Sequence, residues 1–257
     1  MESRKQQKIG FFDSGLGGIS VLRDAYSLMP EEDYIYFGDT ANAPYGTKEQ
    51  NQIVSMTMNG VDYLLSNNIK ALVIACNTAT SAAIEKIRKS VSIPVIGMEP
   101  AIKPALEHTE GKVLMMATPA TVRQEKYQNL LQKCGAHSRV VNLPCEKLAG
   151  LIEEKLCKGE KPKEYLQELL APYVGKVEAV VLGCTHYVFV KDIIADIFGD
   201  GVKLFDGNQG TVLHLKDVLQ KEGIKREQGQ RGTVILNSSR DDQYTMKTYA
   251  RLLFSKE

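Results

Sequence analysis

Eight short apolar runs, separated by amphipathic stretches, restrict the folds open to this chain. They are Ile9–Asp13 (IGFFD), Tyr34–Gly38 (YIYFG), Ala71–Ala75 (ALVIA), Pro94–Met98 (PVIGM), Val113–Ala117 (VLMMA), Ala179–Leu182 (AVVL), Lys203–Asp206 (KLFD) and Thr233–Asn237 (TVILN). Each is continuously apolar rather than alternating, as in strands covered on both faces of a parallel sheet. Helical stripes lie between them. Gln50–Asn67 sets Ile53, Met56, Val61 and Leu64 on a helical period, Lys147–Leu156 and Lys163–Leu170 carry similar stripes, and Asp241–Phe254 follows the last run. Strand then helix, repeated, predicts an α/β protein with mostly parallel sheets flanked by helices.

The 257 residues are long for one domain and natural for two. An internal echo supports the division. A strand ending at Asp13-Ser14-Gly15 is followed 63 residues later by one ending at Cys76-Asn77-Thr78, and one ending at Thr118-Pro119-Ala120-Thr121 is followed 66 residues later by Cys184-Thr185-His186. Two similar domains related by a pseudo-two-fold, with the active site between them, would account for this. Residues 1–98 plus 207–257 are expected to form the domain carrying Cys76, and 99–206 the domain carrying Cys184. The Pro100–Pro104 and Asp206–Gly210 regions are the expected hinges.

Composition removes several classes. The 32 Lys+Arg against 31 Asp+Glu give a net charge of +1, so nothing draws a nucleic acid or an acidic membrane surface. Five cysteines, at 76, 134, 145, 157 and 184, cannot all pair and show no CxxC, which argues against a disulfide framework or a zinc module. No apolar run approaches the ~18 residues of a membrane span, and MESRKQQK is polar. The expectation is a soluble cytoplasmic protein with reduced thiols.

The polar motifs fall at the carboxyl ends of the strands, where open α/β sheets bind ligands. DSGLGG (Asp13–Gly18) offers backbone N–H groups and a helix start suited to a carboxylate or phosphate, or forms only a tight turn. Its glycines miss the GxGxxG spacing, so a nicotinamide site is weak. Cys76, before Asn77 and Thr78, and Cys184, before Thr185 and His186, each sit where a strand gives way to a helix. There the aligned dipoles would lower a thiol from ~8.5 toward neutrality. Buried cysteine is more often a small apolar residue, but two in matching positions favour chemistry. Cys134, Cys145 and Cys157 lack that setting and read as packing. His108, His137 and His214 read as surface residues, so no metal cluster is visible. Lys221–Arg231 reads as a solvated loop, and GDTANAPYG (Gly38–Gly46), with Tyr45, as a substrate lid. GxSxG, HExxH and GxxxxGK[ST] are missing. Two thiols facing one carbon from opposite sides would invert a stereocentre, one taking a proton as the other delivers one.

GFFDSGLGG, GDTANAPYG, ALVIACNTAT, GMEPA and LGCTHY, in this order, closely resemble cofactor-independent glutamate racemases of the Asp/Glu racemase superfamily, from about Ile9 to Phe205. The resemblance implies a substrate of L- or D-glutamate, a role in peptidoglycan synthesis, no cofactor, no metal and a homodimer. It implies Cys76 as the base for D-glutamate and Cys184 as the base for the L-enantiomer. Asp13 would assist Cys76 and His186 would partner Cys184, with Glu153, or its neighbour Glu154, behind. Asp13, Ser14, Tyr45, Gly46, Asn77, Thr78, Thr121, Thr185 and His186 would bind substrate. Two alternatives stay open: a related isomerase such as an aspartate racemase, and an amino-acid-binding module whose thiols are only structural.

Overall fold

Apolar runs flanked by helices assemble into two wholly parallel sheets in the computed structural model, which describes residues 2–158, 160–227, 229–240 and 242–254. From the N-terminus, α1 (Glu2–Lys5) and β1 (Lys8–Asp13) lead to α2 (Ile19–Leu28) and β2 (Tyr34–Gly38). Two 3₁₀ turns precede α3 (Gln50–Ser66), β3 (Ile69–Ile74), α4 (Asn77–Ser90) and β4 (Val95–Gly97). Next come α5 (Ile102–Glu107), β5 (Val113–Ala117), α6 (Pro119–Arg123), α7 (Glu125–Lys133) and β6 (Val140–Pro144). After them run α8 (Leu148–Cys157), α9 (Lys163–Leu170), β7 (Ala179–Leu182), α10 (Lys191–Phe198) and β8 (Lys203–Asp206). Last in the described chain are α11 (Asn208–Lys221), β9 (Val234–Ser238) and α12 (Gln243–Phe254).

One sheet has the order β4-β3-β1-β2-β9 and the other β6-β5-β7-β8. Read from β4 and from β8, the two share one order, which gives the internal echo a topological form. β9 is the addition, pairing in parallel with β2 from Tyr34↔Val234 to Gly38↔Ser238. The inner strands β1, β3, β5 and β7 are almost wholly buried, as their unbroken apolar sequences require. One apolar cluster crosses between the sheets, taking in Phe11 and Leu16 from one side and Leu114, Leu182 and Tyr187 from the other. Both sheets therefore present their carboxyl ends on a common core.

Two expectations from sequence are corrected here. Val140–Pro144 was not expected to be a strand, yet it is β6. At the sheet edge only Leu143 of its five residues is buried, so the run lacks the doubly covered signature. The reading of Lys221–Arg231 as a solvated loop also fails for residues 224–226. Ile224 is buried, Lys225 pairs with Glu31 at 2.5 Å, and Arg226 pairs with Asp33 at 2.6 Å. Opposite charges 194 and 193 residues away hold down what local composition reads as solvent-loving.

Candidate active site

The two strand-end cysteines occupy equivalent places, Cys76 after β3 and Cys184 after β7, and both are buried. Their local settings differ. Cys76 is the N-cap of α4, its Sγ accepting from Ala79 N at 3.4 Å and lying 3.3 Å from Ser14 Oγ. Cys184 heads only a 3₁₀ turn, Thr185–Val190, and its Sγ lies 3.7 Å from His186 Nδ1. Burial, reinforced by the charge of Asp13, pushes the Cys76 thiol up to about 12 against the bonds from Ser14 and Ala79. The expected fall toward neutrality is thus reversed at Cys76, because desolvating a thiolate costs more than the helix start returns.

Behind Cys184 runs a chain of polar contacts. His186 Nε2 meets Glu153 Oε2 at 2.6 Å. Burial works to lower the His186 pKa, but its bonds to Cys184 and Glu153 prevail and hold it well above the ordinary histidine range. Glu153 Oε1 is buried without a hydrogen-bond partner. Glu154 points elsewhere, to Lys158 at 2.6 Å on the exposed side of α8. Of the two adjacent acids, only Glu153 reaches the site.

Asp13, at the end of β1, bridges the halves. Its Oδ1 accepts from Gly15 N at 3.0 Å and its Oδ2 from Thr185 Oγ1 at 3.1 Å. Burial raises its carboxyl to about 6, with Glu153 adding to the rise while His186 and the two hydrogen bonds oppose it. The glycines of DSGLGG permit a close approach of the two halves. A Cβ on Gly15 would stand 2.3 Å from Glu153 Oε2, and one on Gly17 2.3 Å from Thr185 Oγ1. The turn is a packing seam between the two sheets.

The remaining candidates divide. Thr78 and Thr121 meet at 3.1 Å, and each lies 2.9 Å from Thr118, which the sequence reading left out of the site. Thr118 caps α6 before Pro119 at its first turn, a recognisable Thr-Pro-x-Thr start. Asn77 Oδ1 is buried and unpartnered. Gly46 packs against Thr118, leaving no room for a Cβ. Tyr45 is buried with its hydroxyl on Asp39 Oδ2 at 2.5 Å, while Thr40 is tied to Tyr249. Residues 38–46, the expected substrate lid, are therefore pinned at Thr40 and Tyr45. Tyr36, which donates to Gly15 O at 2.5 Å, and Tyr249, set edge-on against it, are further supports with no motif to announce them.

Outside the site, Cys145 is buried with its thiol on Leu143 O, Cys134 is half-buried, and the side chain of Cys157 lies outside the described residues. His108, His137 and His214 are exposed. Among the described residues no group of three His, Cys, Asp or Glu side chains is arranged to hold a metal ion.

Comparison with known proteins gives the chain a family. The family model described as Asp/Glu/Hydantoin racemase matches residues 20–215. A glutamate racemase of Clostridium perfringens is 46% identical over 252 residues, 97% of each chain. A crystal structure of a glutamate racemase isoform from Bacillus anthracis superposes with a TM-score of 0.87 at 27% identity, covering 98% of this chain and 96% of that one. The glutamate racemase of Francisella tularensis in complex with D-glutamate gives 0.82 at 30% identity, over 98% and 95%. By fold, by strand-end chemistry and by identity along nearly its whole length, the chain belongs to the Asp/Glu/Hydantoin racemase family.

Proposed function

We propose that the chain interconverts L- and D-glutamate by a cofactor-independent two-thiol mechanism and supplies D-glutamate for peptidoglycan synthesis. The observation that carries this is the matched pair of buried strand-end thiols, each with its own polar partners: Ser14 for Cys76, and His186 with Glu153 for Cys184. Cys76 as thiolate takes the α-proton of D-glutamate on one face while Cys184 delivers a proton to the other, and the L-enantiomer reverses the roles. The substrate's ammonium, brought beside the thiolate, offsets the burial that otherwise keeps Cys76 protonated. Asn77, with its unpartnered oxygen, and the hydroxyls of Ser14, Thr78, Thr118, Thr121 and Thr185 supply neutral contacts. Tyr45 and Gly46 shape the wall.

A small amino dicarboxylate is the partner this supports, rather than nucleic acid or membrane. No helix among the described residues is long and apolar enough to cross a membrane. A homodimer working in the cytoplasm, with domains of 1–98 plus 207–257 and 99–206, completes the proposal.

Two measurements test it. Purified protein given L- or D-glutamate in D2O should place solvent deuterium at Cα of the opposite enantiomer, with aspartate turned over far more slowly. Saturable glutamate binding without α-proton exchange would sink the racemase reading in favour of a binding module. The second concerns pH. Asp13, with its carboxyl at about 6, is neutral below that value and ionised above it. If it assists Cys76 as a carboxylate, kcat/KM rises as pH climbs through about 6, and Asp13→Asn removes that limb along with most activity. A limb of unchanged position in Asp13→Asn would assign it to another group.

A further inference from the structure

Glu153 faces two ways. On one side is His186, and on the other it forms part of the wall of a cavity of about 570 Å³. Thr40 and Pro44 from the pinned 38–46 segment, Gly150 from α8 with Lys158 just past its end, and Tyr244 from α12 also line this space. None of them belongs to the proposed substrate contacts. Tyr244 is largely exposed and Lys158 pairs with Glu154 on the surface, so the cavity opens to solvent. Arg240 at its rim lies 4.0 Å from Asp242, and the charges there are balanced. The chain of polar atoms from Cys184 Sγ to His186 Nδ1, and from Nε2 to Glu153 Oε2, thus ends at a carboxylate whose Oε1 is buried and unpartnered. Among the described residues Cys76 has no such continuation beyond Ser14 and Ala79.

A two-thiol racemase needs such a connection. A D-to-L turnover ends with Cys76 as thiol and Cys184 as thiolate, the reverse of what the next turnover requires. We infer that Cys184 exchanges its proton with water of this cavity through His186 and Glu153, making the cavity a proton port separate from the substrate cleft. To reset the enzyme, a cavity water protonates Glu153, Glu153 passes a proton to His186 Nε2, and His186 Nδ1–H passes its own to Cys184 Sγ. The hydroxide left in solvent is neutralised by the proton that Cys76 releases into the cleft once product has gone. The L-to-D direction runs the relay backwards. The inference rests on the racemase reading above.

The test narrows the port without touching the relay. Gly150 lies one helical turn before Glu153 and lines the cavity, and a Cβ there would meet only Pro44 Cγ at an ordinary 3.8 Å, so Gly150→Leu starts without a Cβ clash and adds bulk at the cavity wall. At high glutamate, enzyme in the unreset form is captured by product, and the net rate falls as total glutamate rises at fixed enantiomer ratio. In Gly150→Leu the onset of that fall should move to a glutamate concentration at least about tenfold lower, at the modest end of what positioned proton transfer contributes. Its kcat/KM should stay at the wild-type value. Gly150→Met fills the same space with a flexible chain if the branched residue disturbs folding. An unchanged onset in a folded variant overturns the port, as does a parallel fall of kcat and kcat/KM, which would make the cavity the substrate's passage. Wild-type protein that puts no solvent deuterium at Cα fails the racemase reading instead, so the two failures are distinguishable.

Discussion

Cys76→Ala and Cys184→Ala should each lower kcat/KM for glutamate by on the order of 10⁴-fold, since each removes a positioned acid–base group that nothing nearby replaces. The loss should be the same for both enantiomers in each variant. Mirror-image glutamates have equal free energies in water, so the equilibrium constant is one and kcat/KM in the two directions must remain equal whatever the lesion. A side-specific defect can therefore separate kcat from KM, but never one direction's kcat/KM from the other's. Time courses followed by chiral chromatography from either enantiomer check both statements. Cys145→Ala is the control, a thiol as buried as the other two but bonded to the Leu143 carbonyl and the Tyr187 hydroxyl rather than to any proposed acid–base partner. It should keep the wild-type rate per folded molecule. Near-normal racemisation in either Cys76→Ala or Cys184→Ala would overturn the two-thiol mechanism.

What was legible in the sequence divides along a physical line. β1, β3, β5 and β7 are covered on both faces, and their burial writes itself into unbroken apolar runs. β6, half-exposed at an edge, has no such run to offer. The strand-end cysteines were legible because topology places ligands there. The protonation of Cys76 was not, because the burial that pushes it to about 12 comes from residues far away in sequence. Pinning of the 38–46 segment was hidden for the same reason. Its anchor Tyr249 lies 209 residues from Thr40, and no local pattern reports that distance. Thr118 is the exception, since its capping position could have been read from Thr-Pro-x-Thr alone.

Glu32→Ala should destabilise the fold by about 3–5 kcal/mol, the usual cost of stripping one partner from a buried ion pair. Lys70 and Glu32 have wholly buried side chains, with Nζ 2.5 Å from Oε2. Lys70 also donates to Lys5 O at 2.8 Å and Ile224 O at 3.0 Å, and Glu32 Oε1 accepts from Arg226 N at 2.7 Å. The pair thus clips the end of α1, the start of β3, the approach to β2 and the chain after α11 into one cluster. Burial presses the Lys70 pKa down even with Glu32 beside it, so the alanine variant must neutralise the lysine, flood it with water or unfold. Replacing both partners with apolar residues, as in Lys70→Met with Glu32→Leu, removes both charges together and should recover much of the loss. A denaturant double-mutant cycle measures the coupling. The cluster sits at the amino ends of the strands and the thiols at the carboxyl ends, about 20 Å away along β3 at ~3.3 Å per residue. Glu32→Ala should therefore keep its turnover per folded molecule under native conditions while its unfolding midpoint falls. A change within 1 kcal/mol would place this pair among ion pairs that contribute little, and the clip would then rest on its backbone bonds alone.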